Sequence, residues 1–434
     1  MKMKENSKYR GNKNKKKEYH KTSSKELNLQ GKSLKIIPLG GCGEFGLNMT
    51  CYIVEKKFIV ADVGSIFSDP KQLGVSSIIP SVKKTFKDFG KLLGYFITHG
   101  HEDHIGSLPY VYEEYPAPVY ATPWTAELIK KKFKRYNLEL KNLHVISAGK
   151  KISCNPFLVE YVHVNHSIPD STALFIKTTN GNVFHTGDYK VDKDPPLKKN
   201  IDVNQLEAIK KAGVDLLLSD STNANRQGFS PSESSILDPL EKIMLSTTGR
   251  IFITGFSSNL WRINTIIKVC RKLGKKLLID GRGLRDSLEL GQNFGYVEEL
   301  KNVLITDKQL NNFPDNKIVI VLSGSQGEQR SSLVRTALRE HRFLSIKKDD
   351  FIIFSARPIP GNEREILRLM DLLKAQGAAI VTPKDHPDVH VSGHACIEDH
   401  LYFIERLKPK CYIPIHGTYS LLADNQSIAE HLQG

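Results

Sequence analysis

The stretch THGHEDHIGSLP, residues 98–109, constrains this chain more than any other feature. It places three histidines and two acids within six consecutive positions, directly after the strand-like run LLGYFITHG. Buried histidine and aspartate side chains cost free energy unless they are paired or bind a metal ion. The stretch is therefore either an ordinary polar loop or half of a metal site, and its spacing favours the metal site.

The spacing also predicts which side chains act together. His99 and His101 are two residues apart on an extended segment, so they face the same side and can bind one ion. Asp103 and His104 follow where the chain turns into a helix, so they can bind a second ion. Neutral imidazole and carboxylate ligands are typical of Zn²⁺, with Mn²⁺ as the alternative. Glu102 falls outside this spacing and is not a predicted ligand.

Two ions need further ligands, and three residues elsewhere stand at the ends of strand-like runs. His166 follows VEYVHVN, Asp188 lies in VFHTGDYK and His416 lies in CYIPIHG. A carboxylate such as Asp188 can bridge two ions, whereas a single histidine binds one. Each of these residues taken alone could instead be a polar group that caps a strand end, and this is our interpretation of His163 and His185.

Length and cysteine content indicate the class of protein. A chain of 434 residues exceeds one ordinary core, so two or more domains are expected. The six cysteines are scattered without a CxxC pair, which argues against a disulfide framework and fits a reducing cytoplasm. We expect a cytoplasmic protein without a membrane segment, because no apolar run approaches the length of a membrane span and the N-terminus lacks the apolar region of a secretory signal.

The net charge of +15 is concentrated at the N-terminus. Residues 1–32 contain eleven Lys or Arg against three Glu, and we expect a disordered basic arm there. The arm could be only a solvated tail, or it could bind nucleic-acid phosphates non-specifically. Charge alone does not distinguish these two interpretations.

The order and type of the predicted strands and helices divide the rest of the chain into three segments. Over residues 33–228 short β-rich runs alternate with loops around a single clear helix, TAELIKKKFKRY, and the pattern predicts stacked sheets. Residues 229–380 alternate strands and helices, which is typical of a parallel α/β domain. Residues 381–434 return to shorter elements.

Several motifs together resemble a known family. HxHxDH, a later single His, a GD at a strand end and Asp62 in IVADVG resemble the metallo-β-lactamase fold. SDSTNA, VHVSGH and IPIHG are similar to the β-CASP nucleases, which insert an α/β domain into that fold. FSSN, SGSQGE, PIPGNE and HSIPDS are similar to the ribonuclease J family, and the resemblance covers about residues 33–425. It implies an α/β protein with a four-layer αββα metallo-β-lactamase fold over residues 33–228 and 381–434, and an inserted α/β β-CASP domain over residues 229–380.

The resemblance also implies roles for particular side chains. The implied ligands belong to two zinc ions: His99, His101 and His166 on one, Asp103, His104 and His416 on the other, and Asp188 between them. Asp62 would orient the ligand loops. Asp220 and His394 would form an acid–imidazole pair that protonates the leaving oxygen. Substrate phosphates would be held by His390, Ser392, Gly393, Ser323, Gly324, Ser325 and Gln326.

The activity that the resemblance implies is hydrolysis of RNA phosphodiester bonds, with a two-metal activated water as the nucleophile. The phosphate pocket would receive the 5′-monophosphate of single-stranded RNA. Such a protein is a 5′-to-3′ exonuclease that can also act as an endonuclease. A role in RNA processing and decay, with RNA-decay proteins as partners, is the corresponding expectation.

The chain departs from the family pattern at three places. HGTY replaces HGEY, so Thr418 removes a carboxylate near the metals. SGSQGEQR and SARPIPGNE bring Arg330 and Arg357 near the expected RNA channel, so we expect retained metal binding with an altered grip on substrate. The sequence ends eighteen residues after His416, where relatives usually continue into a C-terminal dimerisation domain. We expect that domain to be absent, which leaves homo-oligomers open.

Three other functions stay open. A DNA-directed β-CASP nuclease would share the metal ligands but not the motifs of the ribonuclease J family. A small-molecule metallohydrolase would have no use for the inserted domain or for Asp220 and His394. A catalytically weak RNA-binding subunit has no reason to keep all seven ligand positions.

Overall fold

A six-stranded sheet with helices on its outer face begins the fold. The structure is a computed structural model that describes residues 33–67, 74–75 and 77–430, so the predicted basic arm lies outside the described residues. The strands lie side by side in chain order, antiparallel from the first to the third and parallel from the third to the sixth. They are β1 (Leu34–Gly40), β2 (Met49–Val54), β3 (Lys57–Ala61), β4 (Lys91–Phe96), β5 (Val119–Ala121) and β6 (Leu143–Val145). The helices are α1 (Lys83–Phe89), α2 (Glu102–Ile105), α3 (Leu108–Glu114) and α4 (Pro123–Arg135).

A second sheet packs against the inner face of the first. Tyr52 and Phe96 of the first sheet share one buried cluster with Phe157 and Leu174 of the second. The first four strands of this sheet are antiparallel, and the fourth pairs in parallel with the fifth. The new elements are β7 (Lys151–Cys154), β8 (Phe157–His163), β9 (Thr172–Thr178), β10 (Gly181–His185), α5 (Val203–Ala212) and β11 (Leu216–Asp220).

The inserted domain is a parallel five-stranded sheet between two layers of helices. Alternate side chains point to opposite faces, so Ile253 and Val321 lie in one buried cluster while Phe252 and Ile320 lie in the other. The strands are β12 (Ile251–Thr254), β13 (Lys276–Asp280), β14 (Ile318–Leu322), β15 (Phe351–Phe354) and β16 (Ala379–Val381), in the spatial order β13-β14-β12-β15-β16. The helices are α6 (Leu237–Ser246), α7 (Leu260–Leu273), α8 (Arg282–Asn293), α9 (Ser332–Ala337) and α10 (Glu363–Lys374).

The chain then returns to the first domain and completes its second sheet. Strand β17 pairs in parallel with β11, and Phe403 packs with Leu206 on the outer face of the sheet. The elements are α11 (Ile397–Leu407), β17 (Cys411–Ile415) and α12 (Tyr419–Glu430). The layers are thus helix, sheet, sheet and helix, with an α/β domain inserted, which confirms the predicted fold class. No helix among the described residues is long and apolar enough to cross a membrane.

Minor elements complete the description. Two-residue strands pair Ile66–Phe67 with Ser77–Ile78 and Cys42–Gly43 with Gly417–Thr418. Single turns of 3-10 helix cover Pro196–Lys198, Glu233–Ile236, Asp307–Asn312, Asp315–Lys317 and Pro387–Val389.

The first domain has more helices than the sequence pattern predicts. Helices α1 and α3 have seven residues and α2 has four, which is too short for a 3.6-residue apolar period to be visible. Helix α8 of the inserted domain also lacks a clear sequence signal. Gly283 and Gly291 lie within it, and each lowers helix propensity by about 1 kcal/mol relative to alanine.

The two domains meet through buried contacts around helix α7. Trp124 and Ile168 of the first domain share a buried cluster with Leu260 of this helix. Arg262 of the same helix is buried, and its Nε donates to Glu233 Oε1 at 2.6 Å. Its Nη1 donates to the Ser355 carbonyl at 2.9 Å. These contacts hold the inserted domain against the segments that lead to and from it.

Candidate metal centre

The HxHxDH stretch bends where helix α2 begins. His101 is the last extended residue, with φ −74° and ψ 154°, and Glu102 starts the helix. His99 and His101 therefore precede the turn, while Asp103 and His104 lie within it, as the spacing predicts. The bend directs the two pairs of side chains into neighbouring positions.

Three histidines and one aspartate form a first group of potential ligand atoms. His99 Nε2 lies 3.0 Å from His101 Nδ1, and His166 Nε2 lies 3.1 Å from the same atom. Asp188 Oδ2 lies 3.6 Å from His99 Nε2 and 3.8 Å from His166 Nε2. One ligand atom from each of the four residues falls within 4.8 Å of the others.

A second group shares Asp188 with the first. Its Oδ2 lies 3.2 Å from His104 Nε2, and Asp103 Oδ2 lies 3.6 Å from the same nitrogen. His416 Nε2 lies 3.8 Å from Asp103 Oδ2. The structure therefore brings all seven predicted ligand positions together in two groups with Asp188 in common.

The remaining hydrogen bonds of these residues leave the right atoms free for a metal. His104 Nδ1 donates to Asp62 at 2.7 Å, and His166 Nδ1 donates to the Gly393 carbonyl at 2.8 Å. Because each Nδ1 directs its proton outward, Nε2 is the nitrogen of these imidazoles that points into the group. Asp188 is 2% exposed, and its Oδ1 accepts no hydrogen bond from any described residue. A buried carboxylate with an unpartnered oxygen among imidazoles fits a cation, and this donor set suits zinc.

Burial keeps the first group of imidazoles neutral. It lowers the pKa of His99 and of His166 well below the ordinary value, and it lowers the pKa of His101 to about 4. A neutral imidazole is the form that binds a metal ion. The first group is therefore ready to bind an ion at neutral pH without losing a proton.

The second group behaves differently. Burial alone would lower the pKa of His104, but the carboxylates of Asp188, Asp103 and Asp62 outweigh it and raise the pKa well above the ordinary value. Burial would raise the pKa of Asp188, but the charges of His104 and His416 outweigh it and hold the pKa well below the ordinary range. In the metal-free protein the proton on His104 balances these acids, so a cation that binds here displaces it.

Asp62 orients the loop that carries the HxHxDH ligands by accepting hydrogen bonds from it. It is buried, with its backbone at φ 59°, and its Oδ1 accepts from the Thr98 backbone N–H at 2.7 Å. Its Oδ2 accepts from Thr98 Oγ1 and from His104 Nδ1, each at 2.7 Å. Asp62 therefore lies where the resemblance implies an orienting residue.

Asn48 has a similar position, but sequence reasoning missed it. Its Oδ1 accepts from His416 Nδ1 at 2.9 Å, and its Nδ2 lies 3.1 Å from His104 Nε2 and 3.3 Å from Asp103 Oδ2. Asn48 thus links ligands that are far apart in the chain. A single asparagine in a glycine-rich loop carries no signal of such a role.

The predicted acid–imidazole pair lies beside Asp188. His394 Nδ1 donates to Asp220 Oδ2 at 2.8 Å and lies 3.9 Å from Asp188 Oδ2. Burial would lower the pKa of His394, but Asp220 outweighs it and raises the pKa to about 9. His394 therefore carries a proton at neutral pH in the metal-free protein.

The segment His390–His394 lies against both the acid–imidazole pair and the first metal group. Ser392 Oγ accepts from Asn223 Nδ2 at 2.8 Å and from the His394 backbone N–H at 3.2 Å, which leaves its own O–H to donate. Gly393 contacts His166 so closely that a Cβ would lie 2.7 Å from Nδ1 of that imidazole. Position 393 therefore requires glycine.

The second predicted phosphate segment, Ser323–Gln326, flanks the loop that follows strand β15. Gln326 Nε2 donates to the Arg357 carbonyl at 2.9 Å, and its Oε1 accepts from the Ile359 N–H at 2.7 Å. The Gln326 backbone N–H donates to Glu328 at 3.0 Å. The backbone N–H and one Nε2–H of Gln326 thus have acceptors within the fold. His390 Nδ1 donates to the Ser355 carbonyl at 3.1 Å, so it contacts the same loop.

The two histidines interpreted as structural have partners outside the metal groups. His163 Nε2 donates to the Lys199 carbonyl at 3.2 Å, and Tyr52 donates to His185 Nδ1 at 2.7 Å. Thr418 pairs with Gly43 in the short strand after His416. Arg330 is exposed, with its backbone at φ 68°.

Three family models match successive parts of the chain. The "Beta-lactamase superfamily domain" matches residues 78–232, the "Ribonuclease J, beta-CASP domain" matches residues 248–373, and the "Zn-dependent metallo-hydrolase RNA specificity domain" matches residues 387–431. Among solved structures, a protein of unknown function from Enterococcus faecalis V583 is similar with a TM-score of 0.62 and 16% identity, covering 89% of this chain and 94% of the other. That likeness shows the fold alone.

Curated relatives extend the similarity over most of the chain. It is 37% identical over 407 residues to ribonuclease J of Helicobacter pylori strain J99, covering 93% of this chain and 59% of that relative. It is 33% identical to ribonuclease J2 of Bacillus subtilis, covering 92% of this chain and 72% of the relative. For ribonuclease J of Thermus thermophilus the identity is 35%, with coverage of 88% and 68%. The chain thus spans about three fifths of the Helicobacter relative and about seven tenths of the other two, and it belongs to the ribonuclease J family.

Proposed function

We propose that this protein is a zinc-dependent ribonuclease that removes nucleotides from the 5′ end of 5′-monophosphorylated, single-stranded RNA, and that it can also cut internally. The observation that carries the proposal is the sharing of buried Asp188 between two groups of ligand atoms. When bound there, two zinc ions would activate a water and neutralise charge on the phosphoryl oxygens. RNA processing and decay in the cytoplasm is the corresponding cellular role, and RNA-decay proteins are the proposed partners.

The ligand residues divide as the two groups suggest. One ion would be held by His99, His101 and His166, the other by Asp103, His104 and His416, with Asp188 common to both. Asp62 and Asn48 keep the imidazoles turned toward the ions, because they accept the outward Nδ1 protons of His104 and His416. Manganese is the alternative metal, since the same donors bind it.

His394 is the proposed proton donor. The 3′ oxygen that leaves a cleaved phosphodiester needs a proton, and a protonated imidazole held by a carboxylate can supply it. Asp220 fixes Nδ1 of His394 at 2.8 Å, so Nε2 is the nitrogen that faces the substrate. The Ser392 hydroxyl and the backbone of Gly393 and Ser323–Ser325 are the proposed contacts for the substrate phosphate. Gln326 is a further proposed contact, and its side chain also supports the Arg357–Ile359 loop.

Two measurements test the proposal. Elemental analysis should find two equivalents of metal per chain, and the protein should convert 3′-labelled, 5′-monophosphorylated RNA to mononucleotides while leaving DNA of the same sequence intact. His394→Ala should keep both metals but lower turnover by about 10²- to 10⁴-fold. His144→Ala, a change of an exposed histidine, is the control. Full turnover in the His394 variant, or cleavage of DNA at an equal rate, would overturn the assignment.

A further inference from the structure

Two arginines from different domains lie next to the proposed phosphate contacts. Arg226 lies in the loop after strand β11, and its carbonyl accepts from the Ile397 N–H at 3.0 Å. Arg357 lies in the loop after strand β15, and its carbonyl accepts from Gln326 at 2.9 Å. The first of these hydrogen bonds holds the Arg226 backbone beside the segment that runs from His390 to Ile397. The Arg357 loop meets the same segment two residues earlier, where the Ser355 carbonyl accepts from His390 Nδ1 at 3.1 Å.

Neither arginine has a counter-ion. In the part of the chain that the structure describes, no carboxylate oxygen lies within 4.0 Å of either guanidinium. Arg262, which also lies near His390, differs because Glu233 neutralises it at 2.6 Å. The loops after strands β11 and β15 therefore each carry one positive charge without a counter-ion among the described residues.

The two charges act on each other and on His390. Burial lowers the pKa of Arg357, and the charge of Arg226 lowers it further. Burial, with the charges of Arg262, Arg357 and Arg226, holds the pKa of His390 well below the ordinary value. His390 Nδ1 donates to the Ser355 carbonyl at 3.1 Å, which leaves Nε2 as the nitrogen for a substrate phosphate. On this side of the segment, the two arginines supply positive charge for a substrate phosphate.

Arg226 is exposed and Arg357 is half-buried. Neighbouring like charges repel each other, and an anion bound between them removes that repulsion. Guanidinium groups bind phosphate oxygens through paired N–H donors. Two such groups can bind one phosphate, while the Ser392 hydroxyl and nearby backbone remain for another phosphate.

We infer that Arg226 and Arg357 form a second phosphate subsite, next to the one at Ser392. The inference rests on the proposed function, because it assumes that the 5′ end of RNA lies at Ser392. The second phosphate is either the β-phosphate of a 5′-polyphosphorylated end or the next internucleotide phosphate. Both present the same chemical group, a phosphate oxyanion that two guanidinium groups can bind.

Binding of RNA to the metal-free protein tests this inference without hydrolysis. Oligonucleotides of one sequence with a 5′-hydroxyl, a 5′-monophosphate or a 5′-triphosphate are titrated against the wild type, Arg226→Ala, Arg357→Ala and Arg357→Lys. Arg368→Ala is the matched control, an exposed arginine of the inserted domain without a carboxylate partner. Each alanine variant should bind about tenfold more weakly, with the salt dependence reduced by about one charge. Lysine should restore the salt dependence but only part of the affinity.

The losses of affinity measured with the three RNAs distinguish a β-phosphate from an internucleotide phosphate. A loss confined to the 5′-triphosphate identifies the β-phosphate, whereas an equal loss on all three identifies the internucleotide phosphate. No loss on any RNA overturns the inference, and so does a loss confined to the 5′-monophosphate, because the arginines would then hold the first phosphate. Thermal protection of the wild type by inorganic pyrophosphate beyond that by orthophosphate, absent in Arg357→Ala, is a second readout. Since none of these measurements depends on cleavage, failure of the proposed ribonuclease activity remains distinguishable.

Discussion

Asn425 of the last helix donates a hydrogen bond to the backbone carbonyl of Asp220 at 2.9 Å. The same amide donates to Ser221 Oγ at 2.9 Å, and its oxygen accepts from Tyr412 at 2.6 Å. Ser221 Oγ in turn donates to the Ile415 carbonyl at 2.8 Å. One fully buried asparagine thus fixes the strand ends that carry Asp220 and His416.

Replacing Asn425 with leucine should destabilise the protein. The change removes the donor to the Asp220 carbonyl and the acceptor of the Tyr412 hydroxyl, and such losses cost about 1–3 kcal/mol. Urea unfolding monitored by circular dichroism measures the loss. Gln426→Leu, at an exposed position of the same helix, should change the free energy of unfolding by less than about 0.5 kcal/mol. Equal stability of the two variants would show that the Asn425 network contributes nothing.

Gly393→Ala should disturb the first metal group without unfolding the protein. An added Cβ would lie 2.7 Å from His166 Nδ1 and 2.8 Å from the Ser167 nitrogen, so the imidazole must move. We expect the bound metal to fall by about one equivalent, because the imidazole that must move belongs to the first group only. Elemental analysis, with far-ultraviolet circular dichroism as the check on folding, measures this. Undiminished metal content would contradict the proposed role of His166.

Replacing only one partner of the buried pair Arg262–Glu233 should destabilise the protein strongly. Glu233→Gln leaves the guanidinium buried without a counter-ion, and such changes destabilise proteins by about 3–5 kcal/mol. Combining it with Arg262→Met should lose less than the sum of the two single changes, because the uncompensated charge is then gone. Chemical unfolding of all four proteins gives the coupling energy. Strict additivity would show that the pair does not interact.

His400 should make the protein sensitive to acid. Burial lowers its pKa to about 4, and Tyr189 donates to its Nδ1 at 3.1 Å. Between that value and the ordinary value of about 6.5, the unfolded chain binds a proton that the folded protein does not. Stability therefore falls as the pH drops through this range.

His400→Gln should reduce the acid sensitivity, because an amide does not titrate. The difference in unfolding free energy between pH 7 and pH 4.5 should shrink by on the order of 1–3 kcal/mol. His144→Gln, a change of an exposed histidine, should leave that difference unchanged. An identical pH dependence in wild type and His400→Gln would rule out a buried neutral imidazole at this position.

Sequence patterns predicted much of the fold and part of the site. The β-α alternation predicted the parallel inserted domain, because buried parallel strands and amphipathic helices have distinct periods. The two-residue spacing of His99 and His101 indicated a shared ion without any knowledge of the fold. The pairing of Asp220 with His394 came only from the resemblance, since 174 residues separate them.

Other parts of the site had no local signal. Asn48, Asn425 and Arg226 are ordinary polar or charged residues in loops and on a helix. Their roles arise from partners such as His416, which lies 368 residues from Asn48. No periodicity or spacing rule detects contacts over such distances. The same limit applies to the unpaired arginines, because a missing counter-ion is visible only in three dimensions.

The placement of His416 directly after β17, which follows the inserted domain, has a consequence for protein synthesis. The ligands from His99 to Asp188 emerge from the ribosome first, and they include the whole first group. The second group is incomplete until His416 is made, because β17 joins β11 only after the entire inserted domain has been synthesised. A chain whose translation stops within that domain therefore contains the ligand residues of the first group but lacks His416 of the second. Interrupted products of translation would lack the two-metal centre that the proposed cleavage of RNA requires.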